Sequence, residues 1–170
     1  MSGTQDKSGK KTTAYDFTFT TLSGKPLPLS DFAGRPLLIV NTASKCGFTP
    51  QYKELEAIWR EHADDGLVVL GVPSNDFANQ EPGNADEIAS FCEINFGVDF
   101  PLTSKEHVKG PDAHPLFKWL SAEGGFLARP RWNFYKYVIG RDGKLVDWFA
   151  STTKPDAPKV KKALEKALGK

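Results

Sequence analysis

Pro36-Leu37-Leu38-Ile39-Val40-Asn41-Thr42-Ala43-Ser44-Lys45-Cys46-Gly47-Phe48-Thr49-Pro50-Gln51-Tyr52 is the stretch on which the reading of this chain turns. Its first six residues form a short apolar run that reads as a buried strand. From Pro50 to about His62 the pattern reads as a helix, with Thr49 as a candidate N-cap and Pro50 suited to the first helical position. Cys46 is therefore expected on a turn at the end of a strand and at the mouth of a helix. Unpaired N–H groups and the positive end of the helix dipole favour an anion there. A thiolate is such an anion, and Lys45 adds a positive charge beside it. The position suits a nucleophilic sulfur, although a buried, inert cysteine would also satisfy the spacing.

Outward from this stretch, the chain is long enough for one domain with a proper core, at 170 residues. Charged residues make up 25% and the formal net charge is +1, which offers nothing to a nucleic acid or an anionic membrane. No apolar stretch is long enough to span a bilayer. Residues 1–11 are polar and basic without an apolar core, so they are expected as a disordered tail rather than a secretory signal, with the folded domain over 12–170. The cytoplasm is the expected compartment. In a reducing compartment, two distant cysteines are more often catalytic, redox-sensing or inert than a structural disulfide. His62, His107 and His114 have no metal-ligand spacing, and the isolated turn glycines form no phosphate loop, so neither a metal nor a cofactor is expected.

Thr13 to Thr20 alternates aromatic and polar residues, and with Leu27 to Leu29 it is expected to form a hairpin across Ser23-Gly24-Lys25-Pro26. Leu67 to Val72 reads as a second buried strand. Asn84 and Glu87 make a capping box for a short helix to about Asn95. Phe100 to Leu102 reads as a brief strand and His114 to Ser121 as a helix. Trp132 to Ile139 and Leu145 to Ala150 read as a hairpin across Arg141 to Lys144, and Pro155 to Leu168 as a closing amphipathic helix. This order implies an α/β fold, a central mixed sheet with helices on both faces, matching a thioredoxin-like sheet with an added N-terminal β-hairpin.

Three segments then resemble the signature segments of the glutathione peroxidase family: Asn41 to Tyr52, Pro73 to Gly83 and Arg131-Trp132-Asn133-Phe134. They occur in the family's order, and the resemblance runs from about Tyr15 to Leu168. It implies a thioredoxin-like fold and reduction of hydroperoxides, with Cys46 as the peroxidatic residue and Gln80, Trp132 and Asn133 as the polar groups around its sulfur. Cys92 matches the resolving cysteine of the thioredoxin-dependent branch. The residues alone leave Cys92 open, because Ile88, Phe91, Cys92 and Asn95 share a helical face and the thiol also reads as core. Many relatives carry cysteine at the Ser74 position and glutamine at the Asp76 position, so Asp76 brings a carboxylate into a loop near the site. The stretch between Leu120 and Trp132 lacks an insertion that resembles the assembly loop of tetrameric relatives, which implies a monomer.

The function implied is a thiol peroxidase acting on hydrogen peroxide and organic hydroperoxides through a Cys46–Cys92 disulfide recycled by thioredoxin. Two alternatives stand beside it: a one-cysteine cycle using glutathione, and a peroxide sensor that relays its disulfide to a regulatory protein. An electron-carrying thioredoxin is disfavoured, since no Cys-x-x-Cys is present.

Overall fold

The computed structural model describes residues 11–170. The expected disordered tail therefore lies outside the described residues except for Lys11. A small antiparallel sheet pairs β1 (Thr18–Thr20) with β2 (Pro26–Pro28). The main sheet contains β3 (Leu37–Thr42), β4 (Val68–Pro73), β5 (Lys136–Ile139) and β6 (Leu145–Phe149), in the order β4-β3-β5-β6. β3 and β4 run parallel, joined through α1 (Tyr52–His62), while β5 and β6 run antiparallel to their neighbours. Three further helices are α2 (Ala85–Phe96), α3 (Pro115–Gly124) and α4 (Pro158–Leu168).

β3 and β4 are buried throughout, and mostly apolar, because both faces of the sheet are covered. Leu38, Val40 and Val69 enter one core with Tyr52 and Leu55 of α1, Ile88 and Cys92 of α2, and Val160 and Leu164 of α4. Leu37, Ile39, Val68 and Leu70 enter a second core with Phe19 and with Leu116, Phe117 and Leu120 of α3. The alternation follows from the period of two in a strand. Gly71 leaves room for the segment beside it: a Cβ there would stand 2.5 Å from the Leu102 side chain. The expected strand at 100–102 is reduced to a bridge from Gly71 to Leu102.

The capping box at Asn84 forms as expected, with the Glu87 amide donating to Asn84 Oδ1 at 2.9 Å. Three expectations need correction. Thr13 to Thr20 is not one strand, because Thr13 and Asp16 cap a 3₁₀ turn over Ala14–Asp16 and only Thr18–Thr20 pairs. Thr49 does not cap α1, which starts at Tyr52 after a 3₁₀ turn over Thr49–Gln51. Its hydroxyl turns back to the cysteine loop instead. Trp132 to Tyr135 lies outside β5, since Phe134 has φ of 63° and a left-handed residue breaks the strand.

Candidate active site

Three segments meet at one end of the main sheet. The Cys46 loop leaves β3, the loop carrying Gln80 leaves the parallel β4, and the turn carrying Trp132 and Asn133 enters the antiparallel β5. Asn41, the next-to-last residue of β3, fastens the third segment. Its Nδ2 donates to the Trp132 carbonyl at 2.9 Å, its Oδ1 accepts from the Tyr135 amide at 2.9 Å, and its carbonyl accepts from the Phe134 amide at 2.7 Å. Lys45 fastens the second, its amide donating to the Gln80 carbonyl at 3.0 Å.

Within the cysteine loop, Thr49 Oγ1 accepts from the Cys46 amide and donates to the Ala43 carbonyl, each at 2.9 Å. The Phe48 amide points at Cys46 Sγ from 3.4 Å. Backbone geometry thus supplies a hydrogen-bond donor to the sulfur, the feature that stabilises a thiolate and the anionic product of its reaction. Cys46 is 7% exposed, and both cysteines are free thiols.

Asn133 is fully buried and donates from Nδ2 to Gln80 Oε1 at 2.9 Å. Gln80 is half-buried, and its side-chain Nε2 has no protein partner among the described residues. Asn133 therefore orients Gln80, leaving Gln80 as a donor to whatever occupies the site. Trp132 packs against both cores, its ring 5.8 Å from that of Phe77. Gln80, Trp132, Asn133 and Cys46 are thus brought together on adjoining loops.

Cys92 lies in the middle of α2 and is 1% exposed. Burial pushes its thiol up to about 11, with a smaller opposing pull from the Tyr52 hydroxyl beside it. The reduced fold therefore holds Cys92 as a protonated core residue. Asp76 is engaged elsewhere: it accepts from His107 at 2.8 Å, from the Val108 amide at 2.7 Å and from the Lys109 amide at 3.3 Å. Partial burial raises its carboxyl, but these bonds together outweigh burial and hold it below the usual range. Its role is to pin the 107–109 loop.

Sequence reasoning missed Glu81 and Lys136. Glu81 is buried, accepts from the Ser44 hydroxyl at 2.6 Å, and has its carboxyl raised by burial. Its position next to Gln80 was the available signal. Lys136 was detectable as a charge inside an otherwise apolar, fully buried strand.

The glutathione peroxidase family model matches residues 14–121. The chain belongs to the glutathione peroxidase family. Peroxidase is that family's enzyme class, and Cys46 and Gln80 fall inside the matched residues while Trp132 and Asn133 lie beyond them. Similar family members include a hydroperoxy fatty acid reductase of Synechocystis, 49% identical over 152 residues, covering 85% of this chain and 90% of the relative. A glutathione peroxidase-like peroxiredoxin of Chlamydomonas reinhardtii is 47% identical over 154 residues, covering 88% of this chain and 95% of the relative. The crystal structure titled Trgpx in apo form superposes with a TM-score of 0.75 at 39% identity, over 94% of this chain and 97% of that one. A thiol:disulfide interchange protein of the thioredoxin family from Chlorobium tepidum, 17% identical with a TM-score of 0.64, shares the fold.

Proposed function

We propose that Cys46 is the peroxidatic thiol of this enzyme. The observation that carries the reading is the donor set around it: the Phe48 amide aimed at Sγ and the Asn133-oriented Gln80 amide on the adjoining loop. The Cys46 thiolate attacks the terminal peroxide oxygen. An S–O bond forms as the O–O bond breaks, leaving a sulfenic acid and an alkoxide or hydroxide that takes up the thiol's original proton through water. Gln80 and Trp132 donate to the departing oxygen, where charge develops.

Cys92 then attacks the sulfenic sulfur. Water leaves, the Cys46–Cys92 disulfide forms, and thioredoxin reduces it back to two thiols. The peroxiredoxin names of several relatives support this cycle over a glutathione cycle. The enzyme works as a monomer in the cytoplasm; a stable tetramer in light scattering would overturn the first half of that statement and fractionation to another compartment the second.

The substrates include long-chain hydroperoxides as well as hydrogen peroxide. Beside Trp132 opens a groove of about 880 Å³, floored by Phe77, Val108 and Phe117. Lys109, Lys118, Arg129 and Arg131 also line it, and none of these four is in an ion pair among the described residues. An apolar floor with a cationic rim complements a fatty-acid carboxylate and its chain, and the Synechocystis relative carries such a substrate in its name.

The test is steady-state turnover with thioredoxin and its reductase, or with glutathione, against hydrogen peroxide and against an 18-carbon fatty-acid hydroperoxide. Faster turnover with thioredoxin, and a lower KM for the fatty-acid hydroperoxide, are expected. Turnover with glutathione alone would replace the two-cysteine cycle with the one-cysteine cycle.

A further inference from the structure

β5 carries a lysine where its pattern calls for an apolar residue. Lys136 shares a strand face with Val138, which belongs to the core that also holds Cys46. The side chain is 0% exposed. Burying an amine is costly unless its hydrogens are bonded, and here they are bonded to groups from two other segments. Nζ donates to Gln51 Oε1 at 2.8 Å and to the Ser151 carbonyl at 3.3 Å. Gln51 Nε2 donates to the same Ser151 carbonyl at 2.7 Å. The Ser151 hydroxyl donates in turn to the Asn133 carbonyl at 2.5 Å.

These bonds tie the site together from beneath. Gln51 ends the 3₁₀ turn that follows Cys46. Asn133 is the residue that orients Gln80. Ser151 stands just past β6. One buried amine therefore joins the loop of Cys46 to the turn of Asn133, the residue that orients Gln80. Glu54 of α1 is the charged group that faces Lys136, and it forms no ion pair with it; its Oε2 is buried without a hydrogen-bond partner.

We propose that Lys136 is a positioning residue for peroxide reduction: acting through Gln51 and Ser151, its buried amine sets the Asn133–Gln80 pair against Cys46. The proposal rests on Cys46 being the peroxidatic thiol. Burial lowers the Lys136 amine to about 7. Its charged form makes the stronger hydrogen bonds, so the hold of this node on the site weakens as pH rises through neutrality. A residue that served packing alone would leave no such trace in the chemistry.

The experiment is stopped-flow oxidation of Cys46 by hydrogen peroxide, from about pH 5.5 to 9, in wild type, Lys136→Met, Ser151→Ala and the double variant. Thioredoxin reduction of the oxidised enzymes is timed alongside. Each single variant should slow oxidation about tenfold or more, as loss of geometry does. The reductive step should stay within about twofold of wild type. The double variant should fall well short of the product of the single effects, because the two residues act along one path. An inflection near pH 7 in wild type should be absent from Lys136→Met.

Single variants that oxidise as fast as wild type, effects that multiply, or an unchanged inflection would each overturn the proposal. If circular dichroism shows Lys136→Met misfolded, Ser151→Ala decides alone: an unchanged oxidation rate rejects the path through Asn133. Failure of wild-type Cys46 to oxidise would instead reject the reading of Cys46.

Discussion

Asn133 Nδ2 donates to Gln80 Oε1 at 2.9 Å, across 53 positions of sequence. Both residues sit beside left-handed backbone. Ala78 and Asn79 have φ of 55° and 54° just before Gln80, and Phe134 has φ of 63° just after Asn133. Non-glycine residues in this region cost roughly 1–3 kcal/mol each and persist where surrounding contacts enforce them. For Phe134 the enforcing contacts are the hydrogen bond its backbone amide donates to the Asn41 carbonyl and its ring packed edge-on against Tyr52 at 5.3 Å. The strained backbone flanks the Asn133–Gln80 pair on both of its segments.

Gln80→Ala, Asn133→Ala and Trp132→Phe should therefore each slow the oxidation of Cys46 while the fold stands. Removing a donor aimed at developing charge costs about a hundredfold or more. Asn133→Ala should add little to Gln80→Ala, since Asn133 works by orienting Gln80. Stopped-flow rates matching wild type for all three would leave these residues with packing roles.

The course of the chain was legible where periodicity and capping speak plainly. The buried strands, the Asn84 capping box and the amphipathic α4 follow from patterns that local physics enforces. Thr49 was misread because a hydroxyl before Pro50 suits a cap and a loop brace equally; only tertiary structure shows it bound to the Cys46 amide and the Ala43 carbonyl. The turn at Trp132 to Tyr135 was misread as strand because left-handed Phe134 carries no sequence mark, as glycine would. The gathering of Cys46, Gln80, Trp132 and Asn133 was legible only through the family resemblance. The Lys136 node was not read at all, since its partners at Gln51 and Ser151 look like ordinary turn residues.

Lys136 also marks the pH dependence of stability. Its amine is protonated to about 7 in the fold, against 10.5 for the ordinary side chain. Between these values the unfolded chain binds the extra proton, so stability rises with pH in that window. The contribution is complete above the unfolded value and is lost as pH falls through the folded one. Its slope is at most about 1.4 kcal/mol per pH unit. Denaturant unfolding of wild type and Lys136→Met at a series of pH values should therefore show the difference moving in favour of wild type between about pH 7 and 10. A difference independent of pH would mean that the amine keeps its ordinary affinity for protons.

In the proposed cycle Cys92 reacts from a buried position inside α2, which must open to release it. A disulfide needs Cα atoms within roughly 7 Å, and Cys92 is held inside α2 as a buried thiol raised to about 11. The helix is thinly anchored: Ile88 and Cys92 are its buried residues, and Ile94 is 81% exposed. A helix of 12 residues with so little tertiary support opens at low cost. Oxidation of Cys46 should therefore be followed by loss of amide hydrogen-exchange protection across α2. Cys92→Ser should lose both that change and thioredoxin-supported turnover. Full turnover in this variant would return Cys92 to the core and favour the one-cysteine cycle.

The most direct measurement treats the Cys92→Ser variant with a single equivalent of hydrogen peroxide and traps sulfenic acid with a dimedone-type reagent for peptide mass spectrometry. The peroxide should be consumed stoichiometrically, with the adduct on Cys46, and the same variant carrying Cys46→Ser should consume none. Peroxide consumption that survives Cys46→Ser in a folded chain, or an adduct on any other residue, would contradict Cys46 as the peroxidatic thiol.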